Sequence, residues 1–262
     1  MFRRRRHSDR VERLAAEHGL VLDPEGQRRF DENAARLNEL ERWYGGRVPV
    51  PAARAKALAD EIVRAAHPDL TANKRGLWVR PLGEGWFSVL GLRTLRTSYT
   101  WEWGVSVPWV PTSTREPFGF VRTAASADFA LRERSIDLAR PDSAHDAYSN
   151  WILGSFGETA FIETATKMWH AAAAPAAAFW SESAAPEGIL AIAGRQSAER
   201  SINAPRPGLV EVCALIALGS IDQARSALES NPGLIPAHYG LGFTPDRLVE
   251  EVSRRANRPP LT

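Results

Sequence analysis

The sequence predicts an α+β protein: a tryptophan-rich antiparallel meander of about four strands at residues 76–122, covered by N-terminal helices and followed by a mostly helical C-terminal part. Three observations predict it. Apolar residues recur at helical spacing before His67, the period falls to two between Gly76 and Arg122, and helical spacing returns after Phe156. The clearest strand is Tyr99 to Pro111. Alternation places Trp101, Trp103, Val105, Val107 and Trp109 on one face and Glu102, Gly104, Ser106 and Pro108 on the other.

Residues 1–7, with four consecutive arginines, read as a flexible basic tail. Asp9 and Glu12 fit a capping box for a first helix ending at Gly19, and Asp23-Pro24 opens a second that runs to Tyr44. Phe30, Leu37, Leu40 and Tyr44 form its apolar stripe, and the mixed charges between them suit a solvated face. A third helix is expected from about Ala52 to Ala66, with Ala55, Leu58, Ala59, Ile62 and Ala66 inward and His67-Pro68 closing it.

The strands follow. Gly76 to Leu82 and Trp86 to Thr97 flank the turn Gly83-Glu84-Gly85, and the inward choice within the second shifts from Phe87 and Val89 to Leu92, which suggests a bulge at Gly91. Tyr99 to Pro111 is the third strand, an edge or bulged at Pro108 because proline cannot donate to a ladder. Phe118 to Arg122 is the fourth. A weakly periodic helix follows from Ser126 to Arg140, then a polar loop.

Phe156 to Ala174 reads as a helix with Phe161, Ala165, Met168 and Ala172 along one face, broadened by Ile162 and Trp169, and ended or kinked by Pro175. Ala184-Ala185-Pro186 and the link 203–208 are candidate boundaries. Leu209 to Leu218 is apolar enough for a buried helix, Gly219 stops it, Ser220 with Gln223 makes a capping box for the next, and Thr244-Pro245 opens a last helix ending near Ala256. The expected organisation is the tail at 1–7, an α+β domain at 8–185, and a helical subdomain at 186–262 that is either separate or continuous with the first.

Composition narrows the function classes. The chain has 262 residues, 44% of them hydrophobic and 24% charged, with nine tryptophans, which is the make-up of a globular protein with a substantial core. A net charge of +2 is too small to mark the whole chain as a nucleic-acid binder. Cys213 is the lone cysteine, so an intrachain disulfide and cysteine-rich zinc sites are excluded, and its apolar surroundings make it a buried hydrophobe. No run of about 18 apolar residues occurs, so no membrane span is expected and the cytoplasm is the default compartment.

No phosphate-binding glycine loop, dinucleotide fingerprint or His-Glu-x-x-His motif is present, and the six histidines are scattered singly, so neither cofactor nor metal is expected. Leu153 to Gly157 lacks the first glycine of a nucleophile elbow around Ser155. The most catalytic-looking cluster is Asp142-Ser143-Ala144-His145-Asp146, where His145 with Asp142 or Asp146 has the chemistry of an acid and base pair. A solvated turn contains the same residues. A second candidate is the interleaving of Arg80, Arg93, Arg96, Arg115 and Arg122 with Trp78, Trp86, Tyr99, Trp101 and Trp103, the pattern that holds single-stranded nucleic acid by stacking and phosphate contact. The aromatic face, however, is also the large apolar surface that the helices need for packing. A third reading is protein binding at the rim of the sheet, through Arg93, Arg96, Glu102, Arg115 and Arg122 and the loop after Pro111.

The segment Tyr99 to Arg122, with its Trp-Gly-Val-Ser-Val-Pro-Trp-Val-Pro run and the Val-Arg-Thr that follows, resembles part of a group of bacterial proteins of unknown function, among them immunity proteins for toxins. The resemblance implies binding rather than catalysis and carries no catalytic residues onto this chain. The favoured expectation is therefore a non-catalytic, immunity- or adaptor-like module with a protein partner. Single-stranded nucleic-acid binding and a hydrolase built on His145 are the alternatives.

Overall fold

The computed structural model describes residues 28, 50–83, 85–94, 99–111, 119–120, 123–135, 157–198, 206–235 and 244–257. The chain divides into two compact units, Met1–Val48 and Pro49–Thr262, and the sheet with all the helices named below belongs to the second. The basic tail and the two helices expected before residue 45 lie outside the described residues, apart from Arg28, which is helical and exposed.

The α+β architecture is as expected, with a sheet of five strands. The first helix of the second unit, α1, spans Ala52–Ala66. Strands β1 (Thr71–Ala72), β2 (Trp78–Gly83), β3 (Trp86–Thr94), β4 (Tyr99–Ser106) and β5 (Leu131–Arg134) then pair in chain order, every pair antiparallel. Five helices follow: α2 (Glu158–Glu182), α3 (Pro186–Ala198), α4 (Pro207–Ala217), α5 (Ile221–Ser230) and α6 (Pro245–Ala256).

The sheet departs from the expectation in three places. Gly91 carries no bulge: β3 and β4 pair without interruption from Phe87↔Ser106 to Thr94↔Tyr99, and the irregularity lies between Pro81 and Gly83. The apparent change of phase arises because both faces are covered, so Val89 and Leu90 are equally buried on opposite sides. Strand β4 is central rather than an edge, and it ends before Pro108, where Val110 N donates to Val107 O across a turn.

The strand beside it is Leu131–Arg134, inside the stretch expected to be helical. Only Leu131 is apolar there. What selects it is the partner: Arg134 and Arg132 stand opposite Glu102 and Gly104 on one face, while Leu131 stands opposite Val105 on the other. Of the strand expected at Phe118 to Arg122, Phe120 makes an isolated bridge to Pro111, and Phe118, Val121 and Arg122 lie outside the described residues.

One face of the sheet carries Trp78, Trp86, Leu90, Trp101, Trp103 and Val105, and α1 and α2 cover it. The other carries Val79, Phe87 and Val89 beneath the 3-10 turn Ala124–Ser126 and Phe129. Asn73 anchors that segment by donating from Nδ2 to Ala124 O and Ala127 O. Leu77 and Phe129 fill the space that a side chain at Gly91 would take, and Phe129 lies where one at Gly104 would be. A Cβ at Gly104 would stand 2.7 Å from its ring and 2.1 Å from Leu131 O. Glycine there is required for close approach.

Helix α2 continues through Pro175 rather than ending at it. An interior proline costs about 3 kcal/mol. The helix beyond it buries Phe179 and Trp180, which contribute roughly 1.5–3 kcal/mol each and offset that cost. Trp180 also donates from Nε1 to Gly104 O at 2.9 Å, which ties the distal turns of α2 to the central strand.

The same core runs from Val50 through the sheet to Ile189 and Ile192 of α3, Cys213 of α4 and Val252 of α6. Polar ties accompany it: Gln196 of α3 donates to Arg132 O, and Arg206 donates to Pro111 O. Helix α4 ends before Gly219 as its sequence implies, but Ser220 caps α5 without a side-chain hydrogen bond, so the expected capping box is not formed. Thr244 does cap α6, accepting from Arg247 N at 3.3 Å.

Candidate functional site

The tryptophan row of β4 is core. Trp101 and Trp103 are wholly buried, and each indole N–H has an internal acceptor: Ala165 O for Trp101 at 2.9 Å and a Glu133 carboxylate oxygen for Trp103 at 3.2 Å. Trp78 donates to Asp60 Oδ1 at 2.6 Å, and its ring packs against Trp101, which in turn meets Trp169 of α2. Tyr99 is held by its hydroxyl on Val50 O and by an edge-on contact with Phe161. None of these rings offers a face to a nucleic-acid base.

The charged residues proposed at the rim divide into two groups. Arg96, Arg115, Arg122, His145, Asp142 and Asp146 lie outside the described residues. Arg93 and Glu102 are described, and the structure brings them together, yet Glu102 is not at the rim: it is 4% exposed. Its two carboxylate oxygens accept separately from Arg93 Nη1 and Arg132 Nη1, each at 3.2 Å. Glu102 is therefore a buried clamp between β3 and β5. Burial holds the Arg132 guanidinium below its ordinary pKa, and the nearby cations Arg93 and Arg134 act the same way, while Glu102 opposes them. Arg80 is likewise engaged, donating to Asp69 at 2.7 Å and lying 4.9 Å over the Trp180 ring.

A different surface has the form of a binding site. Helices α1 and α2 lie side by side on the sheet, with Arg54 opposite Glu158 at one end and His67 edge-on to Trp169 at the other. Between these points the two helices part into an open cleft of about 390 Å³ lined by Leu58, Ile62, Ala65 and Ala66 of α1 and Ile162, Thr166 and Trp169 of α2, with Glu61 and His170 at its mouth. Ile162 is 38% exposed, the only large hydrophobic residue so exposed among the described residues.

The cleft follows from two apolar stripes that are wider than their shared contact. On α1 the residues that meet the core are Ala55, Leu58, Ala59 and Val63, which leaves Ile62 half-buried and Ala66 exposed. On α2 the core side is Phe161, Ala165, Trp169 and Ala172, which leaves Ile162 and Thr166 one step round the helix. The signal was present in the sequence as the broadened stripe of the helix after Phe156. Which part of it would be left open depends on the neighbour.

Arg54 and Glu158 close one end through paired bonds of 2.7 and 2.6 Å, each group shifting the other towards its charged form. Beneath α1, Lys56 forms a separate half-buried cluster. Its Nζ stands 3.0 Å from the Trp78 ring centroid and 3.6 Å from Asp60, without a hydrogen bond, and burial pushes its pKa down to about 8. At the far end, burial also lowers the pKa of His67.

The mouth of the cleft holds one carboxylate and one imidazole, and its floor is apolar. That arrangement buries hydrocarbon and sets a charge at the edge. Among the described residues, no group of three or more histidine, cysteine or acidic side chains is placed to hold a metal ion, and no helix is long and apolar enough to cross a membrane. Comparisons with protein-family models, with curated proteins and with solved structures found no match.

Proposed function

We propose that this chain is a non-catalytic protein-binding module, immunity- or adaptor-like in the sense its β4 segment implies, and that it engages its partner through the cleft between α1 and α2. The observation that carries the reading is Ile162, a large apolar side chain left open beside a floor of Leu58, Ile62 and Trp169. What supports the reading is the form of the opening, a furrow with apolar walls and polar groups at its edge, rather than the extent of exposed apolar surface. The cleft is open along its length, which suits a macromolecular ligand better than a small molecule that needs most of its surface enclosed.

Nucleic-acid binding draws less support, because the rings that would stack are in the core and Arg80, Arg93 and Arg132 are engaged with carboxylates. A cytoplasmic setting belongs to the same proposal, supported by a single cysteine that is buried and unpaired.

The test is capture with the full chain as bait beside an Ile162→Asp variant, read by native mass spectrometry. A partner retained by the native bait and lost from the variant is the expected result. Equal capture by both, or a bare monomer from each at low salt, would overturn the reading.

A further inference from the structure

We infer that the occupant of the α1/α2 cleft is an amphipathic helix of the partner protein, about two turns of which enter the cleft, with a lysine or arginine beside its apolar anchors that reaches Glu61. The inference rests on the protein-binding reading and names the partner's local structure and charge. Three features carry it.

The first is the backbone. Both walls of the cleft are α-helices whose main-chain groups are bonded internally, so the cleft has no free strand edge to offer. A segment entering it gains no main-chain partner there, and a helix brings its own N–H and C=O groups already bonded, whereas an extended peptide leaves them to water on the open side. The β-sheet gives no competing route at this place, since its face is covered by these same two helices.

The second is length. Leu58 to Ala66 and Ile162 to His170 each extend roughly 12 Å, two helical turns. A helix laid along them places residues i, i+3 or i+4, and i+7 over the floor, and about 390 Å³ accommodates a few leucine-sized side chains. The Arg54–Glu158 pair stands across one end, so the track is bounded there.

The third is charge. Glu61, exposed at the lip of α1, is the carboxylate among the described residues that line the cleft. No lysine or arginine is among the described residues that line the cleft. A basic group on the incoming helix is complementary to this lip, whereas a carboxylate, including that of a fatty acid, meets repulsion.

The experiment is selection from a displayed library of helix-patterned peptides of about 20 residues, beyond the length at which isolated helices are marginal in water. The anchor and flanking positions are randomised, and the baits are the native chain, Ile162→Asp, Ala65→Trp and Glu61→Lys. Urea midpoints verify that each bait is folded, and Ala65→Trp fills the cleft without adding charge.

The native bait is expected to enrich large apolar residues at i, i+3 or i+4, and i+7 with lysine or arginine on one flank. Ile162→Asp and Ala65→Trp should lose them, and Glu61→Lys should weaken binding about two- to fivefold and shift the flank to acidic residues. Enrichment without helical spacing, or enrichment indifferent to Glu61→Lys, would overturn the inference while leaving the binding reading in place. Saturable binding of decanoate at the cleft with no peptide enriched would overturn it as well, in favour of a small apolar ligand. Failure of the broader reading is separate, because it appears as loss of any Ile162-dependent capture by the full chain.

Discussion

The aromatic face of the sheet and the cleft between α1 and α2 are built from the same kinds of side chain, yet one is sealed and the other open. On the sheet, Trp101 and Trp103 have no exposure and their indole nitrogens are bonded within the molecule. In the cleft, Leu58 and Trp169 are buried beside Ile62 and Ile162, which keep one side to solvent. The difference lies in the partner surface rather than in hydrophobicity. A sheet face is flat and two helices cover it, whereas two helices meeting on a sheet diverge above their line of contact and leave a furrow. Apolar character alone therefore does not mark a site; incomplete cover does.

The comparison can be broken most severely at Trp101. Trp101→Ala removes a wholly buried indole and orphans its acceptor at Ala165, so a loss of about 3–5 kcal/mol is expected in a urea titration. A loss below about 1 kcal/mol would mean that the aromatic face is not sealed.

Glu102→Gln comes next. It leaves two guanidinium groups beside a neutral amide, and because Arg93 is partly exposed the expected loss is reduced to about 2–3 kcal/mol. A double-mutant cycle with Arg132→Met, which removes the stranded cation, should recover part of it. Additive losses would show that the three residues do not act as a clamp.

Lys56 sharpens the comparison by its pH dependence. Its pKa is about 8 in the folded chain, below the ordinary lysine value of 10.5. The native state therefore releases its proton first as pH rises. Above about pH 8 the unfolded chain binds more protons, so stability rises with pH until the unfolded lysine titrates as well. Lys56→Met should abolish this rise and, at pH 7, raise stability by about 1–2 kcal/mol because the buried charge is gone. The Trp78 face and Asp60 favour the charged form and keep the gain modest. Urea midpoints at pH 7 and pH 9.5 for both proteins check the sign.

The smallest effect on stability belongs to the open side. Ile162→Asp should lower stability by about 1 kcal/mol, since more than half of the side chain is still packed against the cleft floor, while removing partner capture. A large loss of stability would mean that Ile162 is core.

Much of the architecture was legible because it depends on local chemistry. Helix α1 has the boundaries read from its apolar spacing and the proline after His67, and α6 begins at Thr244-Pro245 where a cap and a proline coincide. Alternation along β4 correctly assigned Trp101 and Trp103 to a buried face. The failures share a cause. Arg132 and Arg134 are in a strand because they pair with β4, Arg134 opposite Glu102 and Arg132 opposite Gly104, the apparent change of phase near Gly91 arises because both faces of β3 are covered, and α2 passes Pro175 because Phe179 and Trp180 have a core to enter.

The candidate site was half legible. The broadened stripe containing Ile162 was visible in the sequence, and so was the pairing of Leu58 with Ile62 on α1. Glu102, by contrast, reads as a solvent-facing residue between two tryptophans and turns out to be enclosed by arginines from both neighbouring strands.

By itself the sequence determined helices α1, α4, α5 and α6, the central strands and the burial of Trp101 and Trp103, since these follow from periodicity and from the backbone limits of glycine and proline, whereas α3 was not read from it. Only the tertiary structure decided that the second face of the sheet would also be covered, that Glu102 would be internal, and that the apolar stripes of α1 and α2 would fail to close over Ile162. Those outcomes depend on which surfaces meet across many residues of chain, and side-chain spacing within one segment carries no record of them.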